Sequence, residues 1–199
     1  MKYAIIGSGE IGSALARAFA RKNIEVAIAN ARGPKTLAGL AEELGPSVFP
    51  RSVQDACEAE IIFLAVPFTA HQEVAKQLKQ WNGKIIVDTT NTFHVAPEDL
   101  GGLLSSEIVS KAFVGARLVK GFNHLPAAQL GPNPPVKRQR QAVFLSSNDA
   151  DASAAVAAVA TQLGFAPVEL GRLDQGGVPL HVVDGQAGGI LFQNLVKLG

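Results

Sequence analysis

Cysteine is almost absent: Cys57 is the only one in 199 residues. A single thiol excludes a disulfide framework and a cysteine-based metal centre, and it suits a reducing, cytosolic compartment. A dominant charge is absent too. Lys and Arg number 18 against 17 Asp and Glu, a net of +1, which offers no electrostatic handle to nucleic acid or a membrane surface. No apolar run approaches the ~20 residues that span a bilayer. Strand-type residues begin at Lys2, which leaves no room for a signal peptide. The histidines His71, His94, His124 and His181 are scattered without metal-ligand spacing, so no metal site is expected. No Ser-His-Asp set and no paired carboxylates stand out. With 47% hydrophobic residues, the chain can still build one large core, with room for a small appendage. A cytoplasmic protein acting on a small molecule is the expectation.

What is present starts at residue 7. Gly7-Ser8-Gly9-Glu10-Ile11-Gly12 follows the apolar run Lys2-Tyr3-Ala4-Ile5-Ile6 and precedes Ile11, Ala14, Leu15, Ala18 and Phe19 at helical spacing. A G-x-G-x-x-G between a strand and a helix is a dinucleotide-binding signature. Its first glycine permits a tight turn, its second lets a pyrophosphate touch backbone, and its third lets helix and strand pack closely. The helix start supplies free N–H groups and partial positive charge to the phosphates.

Strands and helices then alternate. Glu25–Asn30, Val48-Phe49, Ile61–Val66 and Lys84–Asp88 read as strands, with Ile61–Val66 apolar throughout, as suits a strand buried on both faces. Leu37, Leu40, Ala41 and Leu44 mark a helix between Pro34 and Gly45. Ser52–Asp55 and Thr69–Gln72 read as capping boxes, the second opening a helix through Gln80. Further on, Arg117–Phe122, Ala142–Ser146 and Ala166–Leu170 read as strands and Asp149–Leu163 as an alanine-rich helix closed by Gly164. The stretch 131–140 reads as a loop, and Ile190, Leu191, Leu195 and Leu198 suit a packed terminal helix. The order predicts an α/β fold: a Rossmann-type, doubly wound, mainly parallel sheet with a small helical C-terminal part. A compositional change near Asn123 suggests an NADP-binding domain over residues 1–122. Residues 123–199 then form an acceptor-binding or dimerisation part continuous with the sheet.

The nucleotide is read at the end of the second strand, where NAD-binding chains usually carry a carboxylate. Here the stretch is Asn30-Ala31-Arg32-Gly33-Pro34-Lys35-Thr36. Asn30 can hydrogen-bond, Arg32 can pair with a 2′-phosphate through its planar fork, and Lys35 adds a second cation. NADP(H) is therefore expected over NAD(H). Ligands in such sheets bind beyond the carboxyl ends of strands, so Ala65, Val66 and Pro67, then Asn91, then Asn123 and His124 should converge at the nicotinamide. For the asparagines, simple turn chemistry is an equal alternative.

These residues carry a resemblance. The stretches Ala4–Gly12, Asn30–Pro34, Ala65–Pro67, Asp88–Asn91 and Val119–His124 resemble the NADP oxidoreductases that work with the deazaflavin coenzyme F420. The same domain is similar to the cytosolic NADPH-binding domain of transmembrane metalloreductases. The resemblance covers most of the chain, and it implies Arg32 at the 2′-phosphate and Val66 and Pro67 beside the nicotinamide. It further implies hydride transfer between NADP(H) and F420 or a flavin, in which the cofactors carry the chemistry.

His124 is the residue to test as a proton donor, against a plain backbone-bonded histidine. His71 and His94 read as capping and solvated residues, and His181 as packing. Gly176, Gly177, Gly185, Gly188 and Gly189 could line a slot for an aromatic acceptor or allow tight packing, including across a homodimer interface; packing is preferred. Lys137, Arg138 and Arg140 read as a solvated loop that could attract an acidic coenzyme tail. The rival class is a non-catalytic NADPH-binding redox sensor.

Overall fold

A computed structural model describes residues 1–130 and 139–180, and the backbone of 196–198. The first βαβ unit forms as the pattern dictates. Strand β1 (Tyr3–Ile6) is buried throughout, and helix α1 (Glu10–Arg21) turns Leu15, Ala18 and Phe19 inward. Asn23 ends the helix in the left-handed region at φ 53°. There its N–H reaches the Ala20 carbonyl and that of Ile24 reaches Phe19, a Schellman stop with Asn where Gly is commoner.

Strand β2 (Val26–Ala29) leads through a 3-10 turn at Pro34–Leu37 into α2 (Ala38–Leu44) and β3 (Val48–Pro50). Helix α3 (Val53–Ala56) starts where Ser52 Oγ accepts the Asp55 N–H at 3.0 Å. Strand β4 (Ile61–Leu64), helix α4 (His71–Ala75) and strand β5 (Ile85–Asp88) follow. Helix α5 (Ser105–Ala112), for which the sequence offered no clear signal, precedes β6 (Arg117–Gly121). Then come α6 (Ala127–Leu130), β7 (Gln139–Ser147), α7 (Ala150–Leu163), β8 (Ala166–Glu169) and β9 (Val196–Leu198).

The sheet runs β3-β2-β1-β4-β5-β6-β7-β8, with β9 on β7. Strands β1 to β6 are parallel. Strand β7 runs antiparallel to β6, pairing Val119 with Ser147, and β8 runs parallel to β7. Six parallel strands with helices on both faces make a Rossmann-type α/β fold. The reversed pair β7 and β8 extends the same sheet. One face carries α1 and α7, knitted by a row of tilted and edge-on rings: Tyr3, Phe19, Phe63, Phe122 and Phe165, with centroids 5.4 to 5.8 Å apart. The other face packs Phe68, Trp81, Val109 and Phe113.

Three expectations change. The helix from Thr69 to Gln80 is cut to His71–Ala75 behind a 3-10 turn at Phe68–Ala70, and Thr69 does not cap it. Trp81 explains the stop: its buried indole packs on Phe113 at 4.8 Å and donates Nε1–H to the Ala75 carbonyl at 3.1 Å. At the C-terminus, Leu198 belongs to a strand, paired with Gln139, instead of a helix. Arg140 likewise sits in β7, paired with Lys197, instead of a loop. Ile190, Leu191, Leu195, Lys137, Arg138, His181, Gly185, Gly188 and Gly189 lie outside the described residues. Gly176 and Gly177 serve packing: a Cβ on them would lie 1.8 Å from the Leu170 carbonyl oxygen and 2.1 Å from Ser146 Oγ.

Candidate nucleotide and acceptor site

The crevice opens where the strand order reverses, between β1 and β4. The Gly7 N–H donates to the Ala29 carbonyl and the Ala65 N–H to the Ile6 carbonyl, each at 2.8 Å. These bonds fix the three strand ends side by side. A cleft of about 670 Å³ lies over them, lined by Gly7, Ser8, Gly9, Asn30, Ala31 and Gly33 on one side. Ala65, Val66 and Pro67 form its floor towards α4. A smaller cleft of about 290 Å³ shares Gly9, Ala65, Val66 and Pro67 and continues along Glu10, Ile11, Thr89, Thr90, Asn91 and Phe93. The two clefts adjoin at these four shared residues.

The three motif glycines meet different demands. Gly7 has φ +113°, and a Cβ there would sit 2.0 Å from the Ala65 oxygen. On Gly12 a Cβ would lie 1.9 Å from the Gly7 oxygen. Gly9 has ordinary extended angles, φ −72° and ψ −165°, and a Cβ there would meet nothing within 4 Å. The protein's own packing therefore requires glycine at 7 and 12 but not at 9. The open space above Gly9, beside the amides of a helix start, fits a pyrophosphate brought against backbone. Ser8 leaves its carbonyl to Ser13 Oγ at 3.1 Å.

Asn30 organises the adjoining loop. It is 8% exposed. Its Nδ2 donates to Ser8 Oγ at 2.9 Å and Thr36 Oγ1 at 3.1 Å, and its Oδ1 accepts the Arg32 N–H at 2.9 Å. Asn30 thus ties the glycine turn to the loop that carries Arg32 and Lys35. Both cations are exposed on that loop, whose Ala31 and Gly33 line the wide cleft. Thr36, whose hydroxyl joins the Asn30 cluster, was no candidate from sequence.

At the other end, buried contacts clamp the strand tips. Lys120 and Asp88, both fully buried, form an ion pair at 3.0 Å. Lys120 Nζ also donates to the Thr90 carbonyl at 2.6 Å, and Asp88 Oδ1 accepts the Thr90 N–H and hydroxyl at 2.9 and 2.7 Å. Asn91 and Asn123 bond reciprocally: Asn91 Nδ2 donates to the Asn123 carbonyl at 2.8 Å and Asn123 Nδ2 to Asn91 Oδ1 at 2.9 Å. Asn123 Nδ2 also reaches the Leu180 carbonyl, while its Oδ1 finds no partner among the described residues. Asn91 lines the narrow cleft; Asn123 stands behind it.

His124 is 2% exposed, packed edge-on to Phe144 at 5.2 Å, and its Nε2 accepts the Phe144 N–H at 3.4 Å. Burial pulls its pKa down to about 4, against a smaller opposing contact with the Ala142 backbone. The ring is neutral at pH 7 and lines neither cleft. His71 opens α4, as expected, and is buried there: its Nδ1–H donates to the Phe68 carbonyl and its ring lies 4.9 Å from that of Phe68. His94 is exposed in a turn with φ +64°. Burial pushes the Cys57 thiol up to about 12, so it carries no nucleophile at pH 7.

Sequence reasoning did not single out Ser52, Val53 and Gln54 at the start of α3, or Glu73, Val74 and Gln77 around α4, all of which line the wide cleft. It also passed over Phe93. The strand-end rule reaches the first group, because α3 and α4 follow the carboxyl ends of β3 and β4.

The fold has known relatives. Residues 2–92 match the family described as NADP oxidoreductase, coenzyme F420-dependent. Over 181 residues the chain is 33% identical to metalloreductase STEAP2 of Mus musculus and 32% to that of Homo sapiens. Each match takes in 85% of this chain and 33% of the metalloreductase, so the chain corresponds to about a third of those curated relatives. A hypothetical protein of Sinorhizobium meliloti superposes with TM-score 0.87 at 40% identity, over 100% of this chain and 96% of that one. A candidate F420-dependent NADP-reductase from an Arthrobacter species superposes with TM-score 0.70 at 28% identity, over 90% of each chain. The NADPH-bound reductive aminase of Aspergillus terreus shares the fold, with TM-score 0.65 at 20% identity over 88% of this chain and 56% of its own. With its glycine turn and its acid-free second strand, the chain carries over residues 2–92 the domain described as NADP oxidoreductase, coenzyme F420-dependent, which it shares in likeness with the metalloreductases.

Proposed function

We propose that the protein is an NADPH-dependent oxidoreductase that reduces a flavin-type or deazaflavin ring. One observation carries the reading: Gly9, which lines both clefts, is kept clear of a side chain that the fold itself would tolerate. The amides of Ser8 to Ile11 hold the pyrophosphate, and Arg32 and Lys35 take the 2′-phosphate from the exposed loop that Asn30 fixes. Val66 and Pro67 form the wall beside the nicotinamide, with Asn91 held in place by Asn123. When bound, the nucleotide supplies the hydride. The protein supplies orientation and excludes water. Buried and neutral, His124 supports the strand ends rather than donating a proton.

The test is oxidation of NADPH, followed by nicotinamide absorbance, with F420, flavin mononucleotide and ferric chelates. The chelates are included because similar proteins are metalloreductases. Turnover with a ring acceptor supports the proposal. Tight NADPH binding with no turnover on any acceptor would identify the rival, a nucleotide sensor.

A further inference from the structure

Phe93 is the exposed aromatic among the described residues, at 51%; the others are buried or half-buried. It is not on a random surface. It lines the narrow cleft with Val66, Pro67 and Asn91, beyond the part shared with the wide one. The loop beneath it is held at every step. Thr89 Oγ1 donates to the Leu64 carbonyl at 2.9 Å, the Asp88–Lys120 pair grips Thr90, and Asn91 is locked to Asn123. Thr92 is buried, and its carbonyl accepts the Val95 N–H at 3.1 Å, which closes a tight turn with Phe93 and His94 at its centre.

That turn is strained. His94 sits at φ +64°, the position where a type II turn calls for Gly or Asn. Conformational cost at a residue whose neighbour projects into a groove is how functional positions are commonly held. A ring kept in water on a rigid, strained tip forfeits the burial that drives other phenylalanines inward. Its chemistry suits one kind of occupant: a flat ring of its own kind.

Resting on the function proposed above, we propose that Phe93 forms the outer wall of the acceptor position and selects a planar, fused-ring heteroaromatic over a compact metal chelate. The ring stacks on the acceptor's open face, opposite the wall made by Val66 and Pro67.

The experiment uses flavin mononucleotide as probe, titrated by its fluorescence against the protein saturated with NADP+, with NADPH affinity measured separately by calorimetry. Phe93→Ala is expected to raise the flavin Kd about fivefold to tenfold, the size of a lost ring–ring contact, with NADPH affinity within twofold of wild type. Phe93→Leu should stay weak, and Phe93→Trp should restore binding. Unchanged flavin affinity in Phe93→Ala overturns the inference. So does a parallel loss of NADPH affinity, which would assign the ring to the nucleotide, and so does a wild-type protein that binds NADPH but no flavin. A wild-type protein that binds neither NADPH nor NADP+ sinks the proposed function itself, and the inference with it.

Discussion

Gly9 and Gly12 lie three residues apart and answer to different constraints, which mutation can separate. A methyl on Gly12 would collide with the Gly7 carbonyl. Gly12→Ala should therefore cost about 3 kcal/mol or more of stability, seen as a fall of roughly 6–12 °C in Tm. A methyl on Gly9 projects into the open groove. Gly9→Ala should fold with a cost below about 1 kcal/mol, the N-cap preference alone, yet weaken NADPH about tenfold or more by holding the pyrophosphate off the backbone. Gly9→Ala with undiminished NADPH binding would remove the phosphate from this turn. Arg32 tests the other end of the nucleotide. Its side chain is exposed, so Arg32→Ala leaves folding intact. It should lose about 1.5–3 kcal/mol towards NADPH, roughly 10-fold to 150-fold, and far less towards NADH. Equal losses for the two nucleotides would place the 2′-phosphate elsewhere. All three residues were legible in the sequence, because a glycine spacing and a missing carboxylate are local facts. What separates Gly9 from Gly12 was not, since it depends on whether the Gly7 oxygen or empty space stands opposite.

Among the elements, β5 and β6 do the work that periodicity does not announce. Lys120 and Asp88 are fully buried neighbours in register across two parallel strands, and with Thr90 they fix the narrow cleft's far wall. Removing one partner strands a charge in the core. Lys120→Met should lower stability by about 3–5 kcal/mol, measured by urea unfolding, and Lys120→Met with Asp88→Asn should regain part of it. A loss below about 1 kcal/mol for the single variant would mean that the pair is solvated in solution. Local sequence pattern does not mark either charge as buried. Their pairing arises because β5 and β6 lie side by side, with β7, a strand 18 residues further along the chain, hydrogen-bonded to the other edge of β6. Helix α4 makes the same point in reverse. Its local pattern favoured a helix to Gln80, but the demand of Trp81 for a buried slot against Phe113 ended it at Ala75. That ending leaves Glu73, Val74 and Gln77 on the wide cleft.

At the scale of the whole molecule, pH reports on how β7 closes over β6. His124 is protonated in the unfolded chain below its ordinary pKa of 6.5 but stays neutral in the fold until about pH 4. The unfolded state binds the extra proton in that window, so stability present above pH 6.5 is lost as pH falls towards 4, by about 3 kcal/mol in total. Unfolding titrations between these values should show the slope, and His124→Gln, which keeps an acceptor for the Phe144 N–H, should flatten it. An unchanged slope would mean that the ring is solvated. Among the described residues no helix is long and apolar enough to cross a membrane. The alternating β and α segments, the dinucleotide turn and the choice of NADP over NAD all followed from residues within a few positions of one another, where spacing, sterics and charge act directly. The reversal of β7, the strand at Val196–Leu198, the neutrality of His124 and the exposure of Phe93 did not. Each depends on which distant segment lies alongside, and burial and pairing between segments far apart in sequence leave no mark on local pattern.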